Sequence, residues 1–483
     1  MKRKLYRILL SVFGAAVWLF FALSYQGHLH FTEGNQMFLF TGTYARETIL
    51  DKGGLANYIA AFLTQFYYYS FTGGLVIALV CVLTALGISK FCRSDWALPL
   101  SITVPSAYAI MMLDGNWVLA GLVGICCTVW IAVAVMKLPT VPRIAAAALL
   151  AYPAGHYLLR AKFFEYMVAP DIAYYSFVAG TALLCIAAWF IRLKKEHLAV
   201  SIALYSIIFS LTAFGTVKRY DSLDEEIHRY EYMVRVRDWD GILKYASKHS
   251  PASPLSTNAI NLALEMKGRL GDEMFHYFQS GPRSLANFEE RKISSEILFL
   301  MGFVNEAQHV AFEDMAGNPN RSRGVYHITR LAEFGAVGDR NRNLNERYLE
   351  TLRHTLFYRN FRPDSTLVSP DMEPVRDFFF DFGNFGSMLE KLSLQRPENK
   401  RARDYYAASL LLQKRLQEFG EQFSDTEPLP RHYQEALGLV KTYMGETPDD
   451  NLAGYIRAFD NVRGDGKKLG KFAGTYWYYV NFR

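Results

Sequence analysis

The feature that most restricts this chain is a set of seven apolar segments, each near the length that crosses a lipid bilayer. With soft ends they run 5–25, 71–89, 97–113, 116–136, 143–159, 171–191 and 197–215. A crossing needs about 20 mostly apolar residues, and hydrocarbon offers the backbone no hydrogen-bond partners, so each segment is expected to be a helix. The first follows Lys2-Arg3-Lys4 as a signal peptide would, but six further spans make it an uncleaved anchor.

Charge divides the chain at the end of the last span. Up to Gly215 there are 15 Lys and Arg against 8 Asp and Glu, and from Thr216 onward 37 against 38. The overall net charge of +6 is therefore carried by the apolar part, where cations report topology rather than a nucleic-acid surface. One set of span ends holds Lys2, Arg3, Lys4, Arg7, Lys90, Arg93, Lys137, Arg143, Arg192, Lys194 and Lys195. The opposite short loops hold Arg46, Lys52, Arg160 and Lys162. Eleven against four places the N-terminus in the cytoplasm, and an odd number of spans places everything after Gly215 outside. The expected domains are a transmembrane domain over 1–215, with a long first external loop over 26–70, and an external domain over 216–483.

All five cysteines lie in the first half, in or beside apolar runs, so no disulfide framework supports the second. Cys126-Cys127 reads as a pair of small apolar fillers. No Asp, Glu, Lys or Arg lies near the middle of a span, which argues against a proton-coupled transporter. His156 is the one titratable group inside an apolar run, and it reads as a packing residue.

The first external loop holds the stretch HFTEGNQMFLFTGTYAR (30–46), too polar to cross a bilayer and too apolar for an ordinary loop. It is expected to insert partly at the outer boundary through Phe38-Leu39-Phe40. Behind it, Leu55, Ile59, Phe62, Leu63 and Phe66 recur as one helical face, and Tyr67, Tyr68 and Tyr69 suit the headgroup level. That pattern predicts a helix lying in the interface and feeding the second span. The outer face gathers Glu33 with Arg46, Arg160 and Lys162. Such cations suit the phosphate of a lipid-linked substrate, and a carboxylate there can take a proton or hold a divalent ion. His28-x-His30 with Glu33 has loose metal-ligand spacing, with no second motif behind it and no metal or cofactor indicated.

From Asp221 onward apolar residues recur at helical spacing. Gly268, Gly302 and Gly335 stand 34 and 33 residues apart, each at an expected helix–helix turn. Around Gly302, the small residues Ala307 and Ala311 would let two helices close, with Pro319 ending the second. The spacing resembles tetratricopeptide repeats, whose units stack into a solenoid with a concave groove for peptides or partner domains. The aromatic ending FAGTYWYYVNF (472–482) is expected to pack on a terminal helix or reach the membrane surface.

Taken together, GNQMFLFT, GGLANYIAAFLTQFYYYSFTGG, the degenerate repeats and TYWYYVNF resemble an uncharacterised family of Bacteroidetes membrane proteins. That resemblance implies a Gram-negative inner membrane and a periplasmic repeat domain, and it brings no assigned activity. The architecture is also similar to membrane glycosyltransferases of the GT-C class, which use polyprenyl-phosphate sugars and carry an acidic catalytic residue just after the first span. Glu33 stands there, as a lone acid with no paired DxD or DE motif. The expected fold is thus all-α, a seven-span transmembrane bundle followed by an external α-solenoid. Two functions are expected from it. One is sugar transfer from a polyprenyl-phosphate lipid, with Glu33 as catalytic carboxylate and Arg46, Arg160 and Lys162 on the phosphate. The other is a non-enzymatic scaffold whose repeats bind envelope proteins. The first is preferred, because an anchor needs one span and not seven.

Overall fold

The computed structural model describes residues 2–483 except 116, 161–169, 191–197, 290, 318–323, 338–341, 365, 377–378, 424–428, 447 and 449. The described residues are helical, with turns and extended connections and no strand among them. By contact the chain groups into two compact units. The first comprises Met1–Glu225 with two later segments, Met315–Thr329 and Arg347–Phe361, and the second the remainder. The sequence reading divides the chain once, after residue 215; the two later segments join the first unit through bonds described below.

In the first unit, α1 (Lys2–Leu19) continues through a π turn, Phe20–Ser24. Its stripe of Tyr6, Leu10, Phe13, Val17 and Phe21 is buried, while Ile8, Val12, Leu19 and Leu23 on other faces are exposed. A helix apolar on every face has a lipid-facing side. The loop helices follow: α2 (Gln26–Gly34), α3 (Gly42–Leu50) and α4 (Gly54–Thr64), the last ending in a 3-10 turn, Gln65–Tyr68. Helix α5 (Ser70–Ser89) returns along α1. A Cβ on Gly14 would lie 2.8 Å from Val82, and one on Gly74 2.7 Å from the Trp18 carbonyl, so both glycines let the two backbones approach.

Next come α6 (Thr103–Met111), α7 (Leu119–Met136), α8 (Thr140–Pro153), α9 (Pro170–Phe190) and α10 (Leu198–Arg219). Five helices are long and apolar enough to cross a membrane: Arg3–Ser24, Ser70–Ser89, Leu119–Met136, Ile172–Phe190 and Ala199–Arg219. They mark a membrane-associated protein. Two of the seven expected spans are not continuous apolar α-helices. Residues 97–113 form the end of a 3-10 stretch, Asp95–Ile102, followed by the nine-residue α6, with Pro99 and Pro105 each removing a backbone donor. Residues 143–159 are the end of α8 and a π turn, Ala154–Leu158, beyond Pro153.

The broken segment 95–113 nevertheless runs the height of α1. Arg3 Nε meets Asp95 at 3.2 Å at one end. The Tyr6 hydroxyl lies 3.1 Å from Ser101 Oγ further along, and the Tyr25 hydroxyl donates to the Leu113 carbonyl at 2.5 Å at the other end. Helix α10 reaches the same level, where Arg219 pairs with Asp114 at 3.1 Å. Of the cations used to read topology, Lys162, Arg192, Lys194 and Lys195 lie outside the described residues.

The first loop differs from its expected form in which faces it buries. Helix α4 is present, but its innermost residues are Ala56, Ala60 and Thr64, turned toward α7, where Gly124 lies close to Ala56. Small residues win that face because they let the two backbones approach, leaving Leu55, Ile59 and Leu63 only partly buried. Within the FLF patch, Phe38 is buried among Phe40, Tyr44, Tyr58 and Phe62, and only Phe40 is exposed. An aromatic cluster inside the protein, rather than lipid, therefore holds Phe38.

The helices that follow are α11 (Ser222–Arg235), α12 (Trp239–Ala246), α13 (Pro254–Met266), α14 (Leu270–Glu273), α15 (Arg291–Met301) and α16 (Val304–Gly317). They continue with α17 (Val325–Phe334), α18 (Arg342–Arg353), α19 (Phe385–Gln395), α20 (Lys400–Leu412), α21 (Leu416–Phe423) and α22 (Arg431–Tyr443). Helices α23 (Asp450–Val462), α24 (Gly466–Leu469) and α25 (Tyr476–Phe482) complete the chain.

Five helix ends in the second unit share one geometry. Arg237, Gly268, Gly302, Lys414 and Gly445 all have positive φ, at 57°, 66°, 104°, 59° and 75°. The next N–H in each case reaches back to the carbonyl five residues earlier: Asp238 to Met233, Arg269 to Leu264, Phe303 to Leu298, Arg415 to Leu410 and Glu446 to Lys441, at 2.8–3.0 Å. This left-handed stop satisfies the last carbonyls of the helix. After the first four the next helix begins two residues beyond the stop, at Trp239, Leu270, Val304 and Leu416. After Gly445 it starts further on, at Asp450. The sequence period at Gly268 and Gly302 is thus a repeated way of ending one helix and starting another. Ala307 and Ala311 are buried as expected, Gly335 ends α17 without a positive φ, and Pro319 lies outside the described residues. The aromatic ending packs within this unit, with Trp477 Nε1 donating to the Glu435 carbonyl at 2.9 Å and Tyr476 to Leu411 at 3.1 Å.

Gly302 tests this reading of the stops. A Cβ there would lie 2.3 Å from the Met372 carbonyl oxygen. Gly302→Ala is expected to cost about 2 kcal/mol or more, from the left-handed backbone and the clash together. Thermal unfolding followed by near-ultraviolet circular dichroism checks it.

Candidate functional site

Helix α2 carries the acidic candidate, and its entry is fixed by a residue nearly two hundred positions further along the chain. Both oxygens of the buried Glu225 carboxylate accept backbone bonds at its start, from Gly27 N–H at 2.8 Å and His28 N–H at 3.0 Å. A carboxylate there satisfies two donors that the helix cannot, and it complements the helix dipole. Tyr25 stacks on His28 at 4.6 Å, and His30 Nε2 lies 3.0 Å from Ser70 Oγ. Their imidazoles are thus engaged within the first unit.

Glu33 lies in the last turn of α2, only 3% exposed, and its Oε1 accepts the Tyr358 hydroxyl at 2.8 Å. Two backbone bonds bring Tyr358 and its neighbours there. Val325 N–H donates to the Gln36 carbonyl at 3.2 Å, and Phe40 N–H to the His354 carbonyl at 2.8 Å. Gly324 makes the approach possible, because a Cβ on it would lie 2.4 Å from the Gly34 carbonyl oxygen. Phe357 stacks on Tyr68 at 4.9 Å, and Tyr358 meets the same ring edge-on at 5.6 Å.

A recess beside Glu33 is lined by Gln36, Phe38, Thr64, Phe357 and Tyr358 among others, and has room for about one water molecule. Arg46, on α3, and Arg160, after the π turn, are both exposed, and neither lines that recess. Lys162 lies outside the described residues. Of the four candidate site residues, then, the structure buries Glu33 with a tyrosine and leaves Arg46 and Arg160 exposed.

Three features of the second unit lay beyond the sequence reading. The first is an ionic cluster of Glu296, Arg330 and Glu333, each under 5% exposed, with Arg237 beside it. Arg330 Nε meets Glu296 at 2.7 Å and also pairs with Glu333, while Arg237 meets Glu333 at 2.7 Å. Burial alone would raise the Glu333 carboxyl, but Arg330 and the Arg237 bond override it and hold it below the usual range. For Glu296 burial wins over the same two cations, and its carboxyl is raised. The second feature is a pair of acids, Glu265 on α13 and Asp404 on α20. Burial, then the neighbouring Asp404, pushes Glu265 well up despite Lys400 and Arg401. Burial pushes Asp404 up to about 6 against Lys400 and Arg403. Glu265 Oε2 is buried and has no hydrogen-bond partner among the described residues. The third is an open groove of about 470 Å³ between residues 282–289, residues 382–386 and α20.

The acid pair sets a pH dependence. A carboxyl whose pKa is higher in the folded state confers stability that is complete at low pH and is lost as pH rises through the folded value. Stability of this unit should therefore fall from the ordinary carboxylate range through about pH 6 for Asp404 and beyond for Glu265. Glu265→Gln is expected to raise the melting temperature at pH 8, change it little at pH 5, and flatten the profile between them.

Compared with known proteins, the chain matches over residues 2–483 the sequence family described as "Family of unknown function (DUF6057)". No curated protein and no solved structure is significantly similar to it.

Proposed function

For a chain that belongs to the DUF6057 family of unknown function, we propose a non-enzymatic role: a polytopic membrane anchor that presents a helical-repeat scaffold for assembling envelope proteins. One observation carries the choice over sugar transfer. The Glu33 carboxylate is held by the Tyr358 hydroxyl beside a recess with room for about one water molecule. A catalytic base for a lipid-linked sugar needs a cavity on the scale of that ligand, several hundred Å³, with cations converging on the phosphate. Glu33 so placed is a tie in the fold.

The anchor in this reading crosses the membrane seven times. The five apolar helices are completed by segment 95–113, whose bonds to Arg3 at one end and Tyr25 at the other support a crossing beside α1. Twenty-two residues of α1 and its π turn rise about 33 Å, enough for a hydrocarbon core. Segment 140–158 completes the count. The N-terminus is cytoplasmic by the distribution of cations, and the second unit lies outside, in the periplasm if the membrane is a Gram-negative inner one. The repeated left-handed stops support a stacked array of helix pairs, a solenoid whose grooves take protein segments.

Glu33→Gln separates the two functions. The scaffold leaves cell-surface glycans unchanged in that variant, and crosslinking in membranes recovers a reproducible protein partner on the second unit. Loss of a glycan with membrane expression intact would overturn the scaffold in favour of polyprenyl-phosphate sugar transfer.

A further inference from the structure

The 470 Å³ groove of the second unit lies within the size range of ligand clefts. Its walls combine three phenyl rings with an unusual set of donors. Phe288 meets Phe382 at 5.2 Å and Phe385 at 5.5 Å, both edge-on, and all three line the groove. Gly386 forms part of the floor, since a Cβ on it would lie 2.5 Å from Ser409 Oγ and 2.9 Å from Gln413 Nε2.

The polar atoms are biased toward donation. Asn287 Oδ1 already accepts the Glu289 N–H at 3.3 Å, and Asn384 Oδ1 accepts the Ser387 N–H at 3.2 Å, capping α19. Neither asparagine's amino group donates a hydrogen bond among the described residues, which leaves both able to donate to a ligand. Arg283 is exposed on the same groove and enters no ion pair among the described residues. One acid, Glu289, stands among them, also exposed. A guanidinium and two amide donors call for an acceptor-rich group, and a fork of guanidinium donors matches a carboxylate in two bonds. With Glu289 present, the groove's side-chain charges cancel. That suits a singly charged carboxylate followed by peptide N–H donors better than a dianionic phosphate. The rings supply the apolar surface that a large final side chain would cover.

We propose that this groove binds the C-terminal end of a protein chain. The terminal carboxylate meets Arg283 and the Asn287 and Asn384 amides, and the last large apolar side chain lies against Phe288, Phe382 and Phe385. This rests on the scaffold reading and names the class of segment that the scaffold holds. Capture of a chain terminus by a few donors is a recurring mode of peptide recognition.

The test uses the full chain in detergent micelles. It is screened against a random heptapeptide library with free C-termini, and the best binder is then made with an N-terminal fluorescein for anisotropy. Enrichment of Phe, Tyr, Leu or Met at the final position is expected. The C-terminal amide of the same peptide should bind at least about tenfold more weakly. Arg283→Gln should weaken the free acid by a similar factor and leave the amide unchanged, with no shift in melting temperature. Phe382→Ala should weaken both peptides alike. No enriched peptide, an amide that binds as tightly as the acid, or full displacement by millimolar inorganic phosphate would each overturn the assignment. Failure here with glycans intact in Glu33→Gln removes the groove's ligand alone. Glycan loss in that variant removes the scaffold and leaves the peptide measurement standing.

Discussion

A single hydrogen bond, from the Tyr358 hydroxyl to the buried Glu33 carboxylate, decides how this protein is read. It joins residues 325 positions apart in sequence. A buried carboxylate is costly unless its acceptors are filled. Filling it from Tyr358 commits the 347–361 segment to the first unit and, in the scaffold reading, commits Glu33 to the fold. The backbone bonds from Val325 to Gln36 and from Phe40 to His354 reinforce the same seam, and Gly324 supplies the close approach. Glu225 acts in a similar way at the other end of α2, so that short helix is held by acid–donor contacts at both ends.

Around that seam the hydrocarbon constraint shapes the rest of the first unit. Where the segments are regular they bury one stripe and expose another, as α1 does with Phe13 inward and Val12 outward. Where prolines interrupt, at Pro99, Pro105 and Pro153, the chain changes to 3-10 or π geometry. Non-α backbone is tolerated where neighbouring helices bury it, and Tyr6, Ser101, Tyr25 and the Leu113 carbonyl provide bonds along one such stretch. The second unit follows another rule. There the left-handed stop recurs, three times at glycine and twice at Arg237 and Lys414, where a side chain is accepted in a conformation that costs about 1 kcal/mol.

Much of the fold was legible because local physics carries it. The apolar runs at 71–89 and 171–191 leave few alternatives to long helices, and Gly268 and Gly302, 34 residues apart, both fall at left-handed helix stops. The interruptions within 97–113 and 143–159 were not legible, because hydropathy averages over a window and does not register which N–H groups proline removes. The buried face of α4 was misjudged because Leu and Phe outweigh Ala in any apolarity pattern, although Ala56 and Ala60 pack closest. The site was least legible. Glu33 stood out by position, but nothing near it in sequence points to Tyr358, and the Arg237 stop, the Asn384 cap and the Asn287 turn show their roles only once the turns are folded.

The central claim, that Glu33 serves the fold through Tyr358, is tested most directly by a double-mutant cycle. Glu33→Gln and Tyr358→Phe would be made singly and together, and thermal stability measured in micelles. The claim requires a coupling of about 1–3 kcal/mol, with the double variant little worse than the more damaging single one. Stability losses that simply add, to within about 0.5 kcal/mol, would contradict it.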